Sequence, residues 1–562
     1  MTDRLKIALA QLNPIVGDLK GNVAKIRAAR AKAAAGGADL VLFAEMVLSG
    51  YQVEDLALKP SFLDACRRHL LELAADTADG GPAMLVGTPW LETADGNAEG
   101  VIEPGIYNGL FLLSGGHIEA GRYKHELPNY EVFDEKRVFK SGPLQGPFNV
   151  RGVRIGTPIC EDFWFPDVTE CLAESGTEIL LSVNASPFEQ GKMEARRAHA
   201  LRRQQENTLP IVYLNQVGGQ DDQVFDGGSF VLGLGNQLRV QLPMFREAVV
   251  ITDWTRAADG WHCAQGEIAE LPDHMGQIYE AMMLGLRDYV AKNGFSSVLL
   301  GLSGGIDSAL TAAVAVDALG ADKVRAVMLP SPYTSRESLE DAAACAKMLG
   351  IAYDVVSIEP AMQVFAAMLE PLFAGRAPDT TEENLQSRAR GVTLMALSNK
   401  FGGLLLTTGN KSEVACGYAT LYGDMCGGYS VLKDIYKTMV FELCNRRNLG
   451  RPADGLGPVG AVMPGRVITK APSAELKPNQ TDQDTLPPYD VLDSILDGLI
   501  DRDLSIDEVT ALGHDRALVA RVWRMVDLAE YKRQQSAPGV RIGRRSFAKD
   551  RRYPITNRYR GE

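Results

Sequence analysis

The eight cysteines of this 562-residue chain, at positions 66, 160, 171, 263, 345, 416, 426 and 444, form no CxxC pair and follow no regular spacing. A disulfide scaffold and a structural zinc site are therefore disfavoured. Positive charge is also in deficit: 58 Lys and Arg against 71 Asp and Glu leave a net charge of −13. Bulk charge thus provides no attraction to nucleic acid or an anionic membrane. Long apolar runs are missing as well. The opening segment MTDRLKIALAQLNPIVGD is broken by Lys6 and Gln11, too short for a signal h-region or a spanning helix. No internal repeat of solenoid period is visible. These absences lead to the expectation of a cytoplasmic enzyme with reduced thiols and neither a nucleic-acid nor a membrane partner.

What is present is ordinary globular material, 46% hydrophobic and 23% charged, in a chain long enough for several domains at about 150 residues each. Short apolar runs alternate with helix-period segments, the pattern of an α/β architecture. KIALAQ, ADLVLFAE, MLVGTPW, NGLFLLS, VRIGTPIC, EILLSVNAS and PIVYLNQVG read as strands, and NVAKIRAARAKAAAGG and KMEARRAHALRRQQENTLP as helices. Strands outnumber helices there, which favours a layered sandwich. The pattern weakens from Met244 to Pro272, where TDWTRAADG is acidic and Gly-containing. The predicted division is a first domain over 1–260, a linker over 261–275 and a second domain over 276–562. The second opens with the helix QIYEAMMLGLRDYVAKNG and a βαβ unit, SVLLGLS, DSALTAAVAVDALG and KVRAVMLP.

Inside that unit, Gly301, Leu302, Ser303, Gly304, Gly305, Ile306, Asp307 and Ser308 form a tight strand-to-helix turn. Glycines there let the backbone approach a ligand, outward N–H groups cradle phosphate, and Asp307 offers a carboxylate to a magnesium ion. The Walker A lysine is absent. The string SGGIDS resembles the pyrophosphatase loop of ATP-dependent amidotransferases and thiolases. E383-N-L-Q-S-R-A-R390, T407-T-G-N-K-S-E413, K433-D-I-Y-K-T438, K470-A-P-S-A-E-L476 and E530-Y-K-R533 continue the resemblance in the order of the NAD synthetase family. The resemblance implies that Thr408, Lys437 and Ser473 contact ATP, with a helix-cap role as the alternative for Ser473. It further implies that Asn384 and Arg388 hold deamido-NAD⁺ and that Lys532 serves the acyl-adenylate region. Glu413 would be a second Mg²⁺ ligand beside Asp307 or a deamido-NAD⁺ contact. One departure is visible: Leu421 stands where short ammonia-dependent relatives carry a lysine.

In the first domain, Cys160 closes VRIGTPIC, Glu45 closes the apolar DLVLFAE and Lys124 precedes the Pro-anchored HELPNY. A carboxylate ending an apolar strand is costly without a partner or a task. The three residue types divide the labour of amide hydrolysis: Glu45 takes the thiol proton, Cys160 attacks the carbonyl and Lys124 stabilises the oxyanion. Together the segments resemble the nitrilase superfamily, and L127-P-N-Y-E-V-F-D-E-K-R137 is similar to the glutaminase domain fused to NAD synthetases. That likeness implies that Tyr130, Ser186 and Lys192 hold glutamine, and it leaves His125 as a mere neighbour of Lys124.

The two motif sets together resemble the glutamine-dependent NAD⁺ synthetase family. The implied fold is an N-terminal nitrilase-like α-β-β-α sandwich followed by a Rossmann-like, doubly wound parallel sheet of the ATP pyrophosphatase type. The implied reaction is the last step of NAD⁺ biosynthesis, in which ATP adenylates deamido-NAD⁺ and ammonia from glutamine displaces AMP. Its products are NAD⁺, AMP, pyrophosphate and glutamate. An ammonia tunnel and a homo-oligomer are expected with it. The competing readings are a different ATP-pyrophosphatase amide ligase, an RNA thiolase, and a nitrilase half kept only as a binding module. The acidic charge and the absence of CxxC pairs oppose the thiolase, and the retained Glu45, Lys124 and Cys160 oppose the inert module.

Overall fold

The computed structural model describes residues 2–93, 102–547 and 549–559. The chain forms two compact units, Met1–Gln220 with Val224–Pro272, and Asp221–Gln223 with Asp273–Glu562.

The first unit is built on two sheets. One has seven strands in the order Gly260–Cys263, Ala248–Ala257, Arg4–Gln11, Leu40–Phe43, Ala83–Glu92, Gly105–Ser114, His117–Tyr123. The other has six, in the order Gln237–Gln241, Phe230–Gly233, Ile211–Asn215, Ile179–Asn184, Val153–Gly156, Phe148–Val150. Period-2 alternation explains why both faces of these strands are apolar. Ile7, Leu9, Leu40 and Leu42 meet Ile155, Ile179, Leu181 and Val183 between the sheets. Ala8, Ala10, Val41 and Phe43 face the other way, onto Val23 and Ile26 of helix Leu19–Ala35 and Leu70 and Leu73 of helix Pro60–Asp76. On the second sheet, Leu180, Ile211 and Tyr213 pack against Val168 and Leu172 of helix Pro166–Glu174 and Met193 and Ala200 of helix Lys192–Asn207. The layers are α-β-β-α, the nitrilase-like sandwich that the motifs implied.

Two sequence expectations are corrected here. The stretch from Met244 is largely regular: Ala248–Ala257 pairs antiparallel with Arg4–Gln11 from Thr255 opposite Arg4 to Ala248 opposite Gln11. Its polar residues alternate outward, with Asp253 and Thr255 exposed while Thr252 and Trp254 are buried. The expected linker 261–275 therefore begins inside the edge strand Gly260–Cys263, whose Trp261 and Cys263 belong to the core. The strand read as VRIGTPIC stops at Gly156, and Cys160 opens a 3-10 turn instead.

The second unit carries a five-stranded parallel sheet in the order Ala352–Val355, Val324–Met328, Val298–Gly301, Leu404–Thr407, Tyr429–Ser430. In chain order this is 3-2-1-4-5, a doubly wound arrangement whose direction of growth reverses between Val298–Gly301 and Leu404–Thr407. Ligands bind outside the carboxyl ends of the strands at such a switch point. The Ala-rich helix Ile306–Leu319 starts there with every residue except Asp307 buried. A helical core follows, in which Leu492, Ile495, Val519, Val522 and Val526 pack against Ala415 and Cys416. Among the described residues no helix is long and apolar enough to cross a membrane.

Candidate active sites

In the first unit, two strand ends and a 3-10 turn deliver three groups to one buried spot. Glu45 lies two residues beyond the strand Leu40–Phe43, and Lys124 directly follows His117–Tyr123. Cys160 sits at φ 49°, in the left-handed region that a non-glycine residue occupies at a cost, and such strain gathers at functional sites. Glu45, Lys124 and Cys160 are all buried. Lys124 Nζ donates to Glu45 Oε1 at 2.8 Å and to Glu135 Oε1 at 3.0 Å. Glu45 is fixed further, Oε1 accepting from Asn108 Nδ2 at 2.7 Å and Oε2 from the Ala185 amide at 3.0 Å. Glu135 also accepts from the Tyr51 hydroxyl at 2.8 Å.

Burial works against the Lys124 ammonium, but the carboxylates of Glu135 and Glu45 outweigh it and hold its pKa well above the ordinary value. Burial and then Glu45 push the Cys160 thiol well up, with Lys124 opposing them. Burial raises Glu135 to about 7, against the pull of Lys124. Burial thus disfavours the Cys160 thiolate, which lies beside a lysine shared by two carboxylates. His125 turns its Nδ1 to the Gly142 carbonyl at 2.6 Å, away from any pairing with the thiol.

The residues expected to hold glutamine differ in their settings. Tyr130 is 47% exposed and its hydroxyl donates to both oxygens of Glu161, at 2.9 and 3.1 Å. Lys192 Nζ lies 4.9 Å from the centroid of the Trp164 ring. Ser186 is buried, and its Oγ accepts from Arg196 Nε at 3.2 Å. Arg196 is itself locked to both oxygens of Asp226 at 2.8 Å. Glu135, Asn108 and Arg196 had no role in the sequence reading. Glu135 falls inside LPNYEVFDEKR, a motif that marks the segment without showing which side chain turns inward.

In the second unit a cavity of about 300 Å³ opens at the switch point. Its lining includes Gly301 to Ser308, Thr408, Glu413, Lys437 and Ser473, so the expected ATP residues gather there together with both expected metal ligands. Gly304 sits at φ +81°, and a Cβ there would stand 2.2 Å from the Ser338 carbonyl oxygen, so only glycine fits. Ser303 N donates to Ser308 Oγ at 3.2 Å and Gly305 N to Ser303 Oγ at 3.2 Å. Two N–H groups expected to face phosphate are therefore bonded within the loop, where a phosphate would compete for them.

Asp307 accepts from Asn410 Nδ2 at 2.9 Å and pairs with Lys437, whose Nζ also reaches Glu413 Oε1 at 3.3 Å. Burial opposes the Lys437 ammonium, yet Asp307 and Glu413 raise it. Ser473 starts no helix; its hydroxyl donates to the Gln480 carbonyl at 2.6 Å and accepts from the Glu475 amide. The cap alternative thus becomes a turn within the lining loop.

Asn384, Arg388 and Lys532 are not lining residues but converge on the segment 417–424, whose Tyr418, Ala419, Gly423 and Asp424 do line the cavity. Asn384 Oδ1 accepts from Thr420, Arg388 Nε donates to the Leu421 carbonyl at 3.3 Å, and Lys532 Nζ donates to the carbonyls of Gly417 and Ala419 at 2.8 and 2.7 Å. Leu421 is thus gripped by its backbone carbonyl. The basic groups that line the cavity with Lys437 are Arg390, Lys433 and Lys470. Lys433 and Lys470 fall within quoted motifs but carried no assigned role.

The comparisons with known proteins divide the chain in the same way. The carbon-nitrogen hydrolase family matches residues 6–258 and the NAD synthase family residues 278–536. The glutamine-dependent NAD(+) synthetase of Rhodobacter capsulatus is 51% identical over the whole of both chains, and that of Xylella fastidiosa strain Temecula1 is 47% identical, again over the whole of both. The solved glutamine-dependent NAD+ synthetase of Acinetobacter baumannii, in complex with adenosine diphosphate, is 41% identical at TM-score 0.77, with 99% of each chain covered. That of Cytophaga hutchinsonii shares the fold at TM-score 0.82 and 22% identity, covering 99% of this chain and 98% of its own. This chain belongs to the glutamine-dependent NAD(+) synthetase family.

Proposed function

We propose that Cys160 hydrolyses glutamine to glutamate and ammonia and that the switch-point cavity uses the ammonia, with ATP, to turn deamido-NAD⁺ into NAD⁺. Glu45 accepts the thiol proton, the thiolate attacks the carboxamide carbon, and Lys124 stabilises the oxyanion. The proton then passes from Glu45 to the departing amine, and water hydrolyses the thioester. The carrying observation is the Lys124 ammonium held between Glu45 and Glu135 beside a strained cysteine. Tyr130, Ser186 and Lys192 hold the glutamine.

In the cavity, Gly301 to Ser308 receive the ATP phosphates, with Thr408, Lys437 and Ser473 around the nucleotide. The carboxylate of deamido-NAD⁺ attacks the α-phosphorus, pyrophosphate leaves, and ammonia then displaces AMP from the acyl-adenylate. Asp307 and Glu413 suit Mg²⁺, because two hard carboxylates lie within reach of one ammonium and Mg²⁺ takes one or two carboxylates plus phosphate oxygens. Bound there, Mg²⁺ would offset phosphate charge. Asn384, Arg388 and Lys532 shape the dinucleotide side through the 417–424 segment. Ammonia reaches the acyl-adenylate before solvent protonates it, the task of the expected tunnel. The eight unpaired cysteines support a cytoplasmic, reducing setting.

The test is NAD⁺ formation from deamido-NAD⁺ and Mg-ATP with glutamine or ammonium as donor. Cys160→Ala should lose the glutamine-driven rate by more than about 1,000-fold and keep the ammonium-driven rate. No NAD⁺ from the wild type with either donor would sink the reading in favour of a different ATP-pyrophosphatase amide ligase.

A further inference from the structure

Two of the three amidase residues lie on separate segments whose distance no shared element fixes: Lys124 leaves the end of one sheet, and Cys160 opens a turn beyond the other. Beside the Tyr130–Glu161 side-chain bond, one buried side chain bonds the backbone of both segments. Asp162 is 2% exposed, and its Oδ1 accepts from the backbone amides of His125 and Glu126 at 3.0 and 2.7 Å. Its Oδ2 accepts from the amide of Ile159 at 3.1 Å. The bonded amides therefore belong to the two residues just after Lys124 and the residue just before Cys160. We propose that Asp162 is a positioning residue for glutamine hydrolysis, a buried carboxylate that clamps the Lys124 segment to the Cys160 turn and so fixes the oxyanion donor relative to the nucleophile. This inference rests on the amidase reading above.

Three arguments support it. A carboxylate is costly to bury, and burial does raise Asp162 to about 6 against the pull of those three amides. It offers only acceptor sites, so it can collect three N–H donors from two segments at once, and bonds to a charged acceptor are the strong kind. Cys160 is held at φ 49°, a conformation that relaxes unless its neighbours over-determine it. The Ile159 amide bond is one such constraint, and the parallel bridge from Ile159 to Val183 is another.

The substitutions grade the clamp. The carbonyl oxygen of Asp162→Asn keeps the His125 and Glu126 amides but turns an NH₂ group to the Ile159 amide, whereas Asp162→Ala loses all three. Misplacement by about 1 Å costs on the order of 100-fold, so glutamine-driven kcat should fall about 10-fold in Asp162→Asn and about 100-fold in Asp162→Ala, with KM changed less than about 2-fold. The ammonium-driven rate measured alongside separates failure of the clamp from failure of the two-site reading, since loss of both rates in the wild type would remove that reading itself.

A second readout follows the nucleophile. The charged and titratable groups facing the thiol are Glu45, Lys124, Glu161, Glu135 and Arg196, with the hydroxyls of Tyr51, Tyr130 and Tyr213. If the clamp sets the Lys124 position, the pH midpoint for iodoacetamide alkylation of Cys160, followed on its peptide by mass spectrometry, moves up in Asp162→Asn. A merely structural aspartate lowers the melting temperature and leaves that midpoint in place. An unmoved midpoint, a wild-type kcat in both variants, or a loss confined to KM would each overturn the proposal.

Discussion

A buried ammonium between two carboxylates leaves one negative charge in excess, and that excess must be stored somewhere. At the amidase site it is stored on Glu135, which burial raises to about 7 while Lys124 pulls it down. Above that pH Glu135 is ionised and shares Lys124 with Glu45. Below it Glu135 takes a proton and its pull on Lys124 is lost. The glutamine-driven kcat/KM should therefore bend downward on the acid side near pH 7. Glu135→Gln keeps the shape and cannot titrate, so its profile should lose that bend and its rate should fall about 10- to 100-fold, as expected for a charge-assisted bond made neutral. The profile with ammonium as donor is the control, and an acid limb identical in both proteins would count against the assignment. That Glu45, Lys124 and Cys160 come together was legible because Glu45 and Cys160 close apolar segments, Lys124 precedes a Pro-anchored turn, and all three fall within motifs. Glu135 was not, because a glutamate on a 3-10 turn beside Lys136 and Arg137 reads as surface until the fold turns it inward.

At the scale of the element, the phosphate loop separates two adjacent glycines that the sequence treats alike. Gly304 has φ +81° and a backbone carbonyl where a Cβ would go, whereas Gly305 has φ −88° and meets only Ser303 Oγ at 3.3 Å. Gly304→Ala should cost more than about 2 kcal/mol and abolish NAD⁺ formation with either donor. Gly305→Ala should cost less than about 1 kcal/mol. Thermal unfolding of the two variants decides it, and equal losses would mean that sterics do not discriminate between them. Buried strands and the helix after the loop were readable because burial on both faces leaves a continuous apolar run. Ala248–Ala257 was missed for the converse reason. It is half-exposed, so its polar residues alternate with apolar ones, and Asp253, Arg256 and the following Asp259-Gly260 turn look like a linker. The grip of Asn384, Arg388 and Lys532 on residues 417–424 was also hidden, since a motif gives the order of side chains but not the direction in which they point.

For the whole molecule, the open question is what covers the helix Glu359–Phe373, none of whose residues is buried. Val364, Met368 and Leu372, spaced by four, are 58%, 64% and 75% exposed and so form one apolar stripe. Val392 of the following helix Thr380–Phe401 is also exposed, at 69%. If the homo-oligomer expected from the sequence forms, an exposed apolar stripe of this kind is a face on which a second copy would sit, presenting the same stripe across a two-fold axis. Charges placed in the middle of such a face meet their own images in the partner and must be desolvated, at a cost of several kcal/mol. The double variant Met368→Glu with Leu372→Glu should therefore shift the association midpoint, followed by sedimentation velocity over a concentration series, by at least about 100-fold. Each unit keeps its own buried core, to which neither side chain belongs, so the melting temperature of the variant extrapolated to low concentration should match the wild type. Sedimentation that is identical at every concentration would rule this stripe out as a subunit contact.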